Sequence, residues 1–214
     1  MSKNTLEISQ SKSHMRRDIR SRRRATPVTF RTERDKRIQK NLMDHLSSLS
    51  AGRVAAYVPM QHEPGGRNLP GLLKASGLQV YLPRIVSIPD AHARGLSGTL
   101  AETLEWVRYE GETAVNARGI EEPVGNAEPG VLPEVDVFLV PALAIDQHGY
   151  RLGQGGGFYD RALAQPGSYR EICAIVDHEE FVSAVPTDEW DLAVNSVVTD
   201  RGLNRFDAGN HRKP

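Results

Sequence analysis

Residues 151–161 read Arg151-Leu152-Gly153-Gln154-Gly155-Gly156-Gly157-Phe158-Tyr159-Asp160-Arg161, shortly after an apolar run at 137–140. Glycines let backbone N–H groups turn toward a ligand with no Cβ in the way. A helix starting at once behind such a loop adds partial positive charge, and together they make a place to cradle phosphate. Arg151 offers a cation beside it. Asp160 offers a hard oxygen of the kind Mg²⁺ takes together with phosphate oxygens. A carboxylate just inside a helix is equally an ordinary dipole partner, so two readings of Asp160 stay open. The loop is neither of the two common nucleotide loops. The dinucleotide fingerprint would need glycine where Phe158 stands, and the Gly-Lys-Ser/Thr ending of the Walker loop is missing.

Four further residues could take part. Lys12 and Arg16 are four apart, so on a helix they share a face and can pinch a polyanion, although they are also two among many basic residues of that arm. Glu63, in His62-Glu63-Pro64-Gly65-Gly66, follows an apolar run, a functional location with a common turn composition. Asp191 follows Trp190 and reads either as a ligand or as a turn residue. The net charge of the 214-residue chain is zero, but residues 1–40 hold thirteen Lys and Arg against four acids, +9, leaving −9 on the rest. Such an arm can bind nucleic acid, bind a small polyanion, or dock as a solvated helix on the acidic body. Only Phe30 is aromatic there, so interleaved aromatics of the RNA-binding kind are absent and nucleic acid is not the expected partner.

The elements that must position these residues follow from periodicity and punctuation. Residues 1–10 read as a disordered tail. Ser11 or Ser13 can cap a helix running to about Arg24, stopped by Pro27. A second helix starts near Thr29, with Ile38, Leu42, Leu46 and Leu49 as its apolar stripe. Residues 54–58 form a buried strand. Asn68 caps a third helix with Leu72 and Leu73 facing inward, and Gly77 closes it. Strands are expected at 78–82, 104–109, 135–140, 172–176 and, last, 194–198, with a Gly/Pro loop at 123–133 and a short helix at 158–164. This alternation predicts an α/β fold: a mostly parallel sheet flanked by helices, three layers, in a single domain over 11–205, with a second tail at 206–214.

Composition excludes several classes. One cysteine, Cys173, rules out an internal disulfide framework and a cysteine zinc site, and its apolar surroundings make it a core filler. The seven histidines show no metal-type spacing and read mostly as surface residues. No serine sits in a G-x-S-x-G elbow. No apolar run approaches the roughly 20 residues of a membrane span, and the N-terminus lacks a secretory pattern, so a cytoplasmic protein is expected.

At the glycine loop the chain resembles the 5-formyltetrahydrofolate cyclo-ligase family, also called 5,10-methenyltetrahydrofolate synthetases. The likeness spans about Lys12 to Asp200. It includes Lys12-x-x-x-Arg16, Tyr57-Val-Pro-Met60-Gln-His-Glu63, Tyr81-Leu-Pro-Arg84, Gly119-Ile-Glu-Glu-Pro123 and Pro186-Thr-Asp-Glu-Trp-Asp191. The resemblance implies ATP- and Mg²⁺-dependent cyclisation of 5-formyltetrahydrofolate by a monomer. It implies that Arg151, Leu152, Gly153, Gln154, Gly155, Gly156, Gly157, Phe158 and Tyr159 wrap ATP, with residues 154–158 also touching the folate. Lys12 and Arg16 meet the phosphates, with Lys12 and Arg151 in catalytic roles. Met60 and Glu63 contact the folate, and Asp160 and Asp191 hold Mg²⁺. Members often carry a basic residue at positions 154 and 156. Here both are neutral, and Phe158 stands where tyrosine is common, so either phosphate affinity or the way charge is supplied is expected to differ.

Overall fold

The computed structural model describes residues 3–127, 134–164, 169–188 and 191–206. The helices are α1 (Lys3–Ala25), α2 (Val28–Ser48), α3 (Leu69–Ala75) and α4 (Phe158–Leu163). The strands are β1 (Arg53–Ala55), β2 (Gln79–Ser87), β3 (Glu102–Arg108), β4 (Thr113–Val115), β5 (Glu121–Pro123), β6 (Val137–Pro141), β7 (Ala144–Asp146), β8 (Arg151–Leu152), β9 (Glu171–Ile175), β10 (Phe181–Val182), β11 (Ser196–Thr199) and β12 (Gly202–Arg205). Seven form the main sheet in the order β12-β11-β9-β6-β1-β2-β3. The five inner strands, β11 through β2, run parallel, and both edges are antiparallel. Strand β6 lies at the centre and is apolar at consecutive positions from Val137 to Val140, as a strand covered on both faces must be.

Helices cover each face. Ile38, Leu42 and Leu46 of α2 and Leu69 and Leu73 of α3 pack on Val80, Leu82, Leu139 and Ile175. Each fully buried aliphatic side chain of this kind is worth about 1.5–3 kcal/mol. On the other face Ala162 and Leu163 of α4 pack with Ile145 and Trp106 against Phe138, Val140 and Val197. A small sheet, β10-β7-β8, lies beside this face, and α1 docks on it through Ile19 and Met15 against Leu143, Ala144 and Leu152. The expected three-layer α/β architecture is therefore present.

Several local expectations need correction. Helix α1 begins at Lys3, so residues 3–10 are helical rather than a tail; nothing between Lys3 and Ala25 breaks a helix. Phe206 packs edge-on against Phe181 at 6.1 Å, so the second tail does not start there, and 207–214 lie outside the described residues. The same holds for 128–133 of the Gly/Pro loop and for Trp190. Asn68 does not cap α3 with its side chain; its Oδ1 accepts from Gln39 Nε2 at 2.9 Å instead. Of the two leucines expected inward on α3, Leu73 is fully buried and Leu72 only half-buried. Strand β11 is not the last, because the chain turns at Asp200 and Arg201 and returns as β12. His45 is a core residue, not a surface one. Its Nε2 meets Glu171 Oε1 at 2.7 Å, and the Ser196 hydroxyl bonds the same oxygen.

Candidate active site

A cleft of about 780 Å³ opens beyond the carboxyl ends of β1 and β6. That is where open parallel sheets bind ligands, because neighbouring connections diverge there. All fifteen residues singled out above line it: Lys12, Arg16, Met60, Glu63, Arg151 through Asp160, and Asp191. They come from four separate stretches of chain. Helix α1 supplies one wall, the loop after β1 a second, the segment from β8 into α4 a third, and the turn before β11 the last.

The glycine loop takes its shape from left-handed backbone at Gly155 (φ 108) and Gly157 (φ 64), conformations that other residues rarely adopt. Helix α4 has only six residues, so its dipole is small, and any phosphate grip must rest on loop amides and nearby cations. Of those cations, Arg16 arrives from α1, and Arg151 and Arg161 flank the loop itself. Arg16 Nε donates to the carbonyl of Gly153 at 2.9 Å. Arg151, buried, donates through NH2 to Asp160 Oδ1 at 2.8 Å and through NH1 to the Leu192 carbonyl at 3.2 Å. Arg161 lies over the Phe158 ring at 5.0 Å and donates to the Gly156 carbonyl at 2.9 Å.

Lys12 reaches between two carboxylates, 2.8 Å from Asp188 Oδ2 and 2.6 Å from Asp191 Oδ2. Burial works against its charge, but the hydrogen bonds and attraction of the two acids outweigh it, and the ammonium pKa is raised. Arg16 shifts the other way, down, through burial first and the neighbouring Arg20 second. On the opposite wall Glu63 is buried, its Oε2 accepting from the Met60 N–H at 3.0 Å and its Oε1 from Gln154 Nε2 at 2.9 Å. Burial, and then the Glu63 carboxylate, push the phenols of Tyr57 and Tyr159 up, so both stay protonated near neutral pH.

Asp160 and Asp191 present hard oxygen donors to one cleft, a set that fits Mg²⁺ if phosphate oxygens complete the shell. Each is already matched with a cation of the protein, Arg151 and Lys12 respectively. The sequence reading missed Asp188, although it lies inside the quoted Pro186–Asp191 motif. It also missed Tyr57, which heads the quoted Tyr57–Glu63 motif, Arg20, which continues the four-residue spacing of Lys12 and Arg16, and Ile8 and Ser9, which carry no local signal.

An α/β domain with a deep, partly apolar cleft at the carboxyl ends of its parallel strands is built as a small-molecule enzyme. The 5-formyltetrahydrofolate cyclo-ligase family model matches residues 8–200. The chain is 34% identical over 194 residues to a 5-formyltetrahydrofolate cyclo-ligase of Mycolicibacterium smegmatis, covering 90% of this chain and 95% of the relative. It is 32% identical over 192 residues to that of Escherichia coli K12, covering 85% and 96%. The solution structure of Aquifex aeolicus 5,10-methenyltetrahydrofolate synthetase superimposes with a TM-score of 0.72 at 25% identity, covering 95% and 96%. The chain belongs to the 5-formyltetrahydrofolate cyclo-ligase family.

Proposed function

We propose that this chain uses ATP to cyclise 5-formyltetrahydrofolate to 5,10-methenyltetrahydrofolate, releasing ADP and phosphate. The observation that carries the reading is the junction of α1 with the glycine loop, where Lys12 and Arg16 converge on a bend rich in backbone amides. A formyl oxygen is a very poor leaving group. Transfer of the γ-phosphoryl group to it turns it into a good one; N10 then attacks the formyl carbon, and the C–O bond breaks to release phosphate. Such a transfer asks the protein mainly to position reactants and neutralise charge, and no covalent protein nucleophile is needed.

In this reading the loop from Arg151 to Tyr159 wraps the triphosphate, and Lys12, Arg16 and Arg151 balance its charge. Met60 and Glu63 face the folate. Asp160 and Asp191 would hold Mg²⁺, which when bound draws charge from the phosphate oxygens. Nucleic-acid binding by the arm has less support. Lys12, Arg16, Arg20 and Arg23 are each bonded to the body of the protein rather than held out as a stripe. The protein is proposed to act as a monomer in the cytoplasm; none of the described helices is long and apolar enough to cross a membrane.

The test is the absorbance of methenyltetrahydrofolate formed from 5-formyltetrahydrofolate, with and without ATP and Mg²⁺. Product is expected only when all components are present. Product without ATP, or none with everything added, would overturn the proposal.

A further inference from the structure

From Gly153 to Asp160 the chain carries no basic residue, and Arg151 just before it is bonded to Asp160. Two arginines of α1 serve the loop instead. Arg16 holds the Gly153 carbonyl. Arg20, one turn further on, grips the next residue with three bonds. Its NH2 donates to the Gln154 carbonyl at 3.0 Å and to Gln154 Oε1 at 2.7 Å, and its Nε donates to the same Oε1 at 3.0 Å. Gln154 Nε2 then donates to Glu63 Oε1 at 2.9 Å. Arg20 itself is not part of the cleft wall, whereas Gln154 and Glu63 are.

We infer that Arg20 is a positioning residue: it fixes the amide of Gln154 in one orientation and thereby ties the glycine loop to Glu63 across the cleft. The chemistry permits only one orientation. A guanidinium has donors and no acceptor, and a carboxylate has acceptors and no donor. Between them the amide must turn its oxygen to Arg20 and its nitrogen to Glu63; the reversed amide would meet like with like at both ends. Gln154 is exposed and its side chain has several rotatable bonds, so without Arg20 it would have to give up more rotamer freedom to make the Glu63 bond. Arg20 thus holds one wall of the cleft in register with the other. It also brings a positive charge to the stretch Gly153–Asp160, which carries no basic residue.

The effect on kinetics rests on the cyclo-ligase reading; the effect on the amide does not. The test compares R20A, R20K, Q154A and the double variant R20A/Q154A in the full chain. In R20A the KM for 5-formyltetrahydrofolate is expected to rise about tenfold, the scale of losing a charge-assisted bond. The kcat stays within about twofold and the melting temperature within about 2 °C. R20K is expected to recover part of the loss. The double variant should be no worse than Q154A, because Arg20 acts through Gln154. An R20A enzyme indistinguishable from the parent, or effects that multiply in the double variant, would overturn the inference.

A second readout needs no turnover. The side-chain amide protons of Gln154, followed by NMR with ¹⁵N labelling, should be protected in the parent and released to the free-glutamine position in R20A. Unchanged protection in R20A would overturn the inference. If the parent forms no methenyltetrahydrofolate, the cyclo-ligase reading fails, and this readout alone decides the role of Arg20.

Discussion

Two groups of polar and ionisable residues lie toward opposite ends of the same parallel strands. At the carboxyl ends, Lys12 is held by Asp188 and Asp191, and Arg151 by Asp160, along an open cleft. Toward the amino ends, His45, Glu171 and Ser196 are sealed under α2, with Cys173 nearby and Arg205 at 3.7 Å from the second Glu171 oxygen. The bonds are equally short, but their surroundings differ. The bonds of His45 and Ser196 converge on one buried oxygen of Glu171, so they serve the fold. In the cleft Lys12 joins elements distant in sequence, whereas Arg151 and Asp160 lie nine residues apart, and an anion or cation entering the cleft can compete for either half of a pair. The exposure of the acids thus separates charges that hold the fold from charges that can be exchanged: Asp160, Asp188 and Asp191 are each less buried than Glu171.

The largest expected difference between the two regions is in stability. Glu171→Ala leaves His45 and Ser196 buried without their acceptor, and should cost about 3–5 kcal/mol, read by denaturant unfolding, with KM values unchanged. In the cleft, Asp160→Asn keeps an acceptor for Arg151 but removes the charge. It should lower turnover by about a hundredfold, with the unfolding midpoint nearly unmoved. An alanine there would be a poorer probe, since it would leave the buried Arg151 unpaired. Smaller again, Lys12→Met should raise the KM for ATP by about tenfold while costing at most about 1 kcal/mol of stability, because its partners are partly solvated. A large stability loss at Lys12, or a purely kinetic effect at Glu171, would break the distinction.

The subtlest effect is on pH dependence. Burial acts to raise the Glu171 pKa, but His45 and Ser196 outweigh it, so the carboxyl lies below its ordinary 4.5. Its contribution to stability is therefore fully present above 4.5 and is lost as pH falls through the lower, folded value. Melting temperatures from pH 6 down to 3 should fall more steeply for the parent than for Glu171→Gln, and the difference between the two profiles isolates this carboxylate.

Elements with a strong period were legible from the sequence: the α2 stripe, the central apolar strand β6 and the glycine loop all stand where pattern put them. Strands of two or three residues, such as β7, β8 and β10, were not, since so short a run shows no period. The start of α1 was misread because a polar, basic segment looks like a tail until its partners are known. What makes it an ordered helix on this body is Ile19 in the core together with Lys12, Arg16, Arg20 and Arg23 bonded to residues more than a hundred positions away.

Local pattern was therefore enough for the α/β class, the glycine loop and the residue types around it. Only the three-dimensional arrangement decided which cation meets which acceptor: Lys12 with two carboxylates, Arg151 with Asp160, and Arg20 with Gln154. The reason is physical. Backbone propensity and apolar period act over a few residues and can be read along the chain. Charge pairing acts through space, and its strength is set by burial, which exists only once the sheet, the loops and α1 have come together.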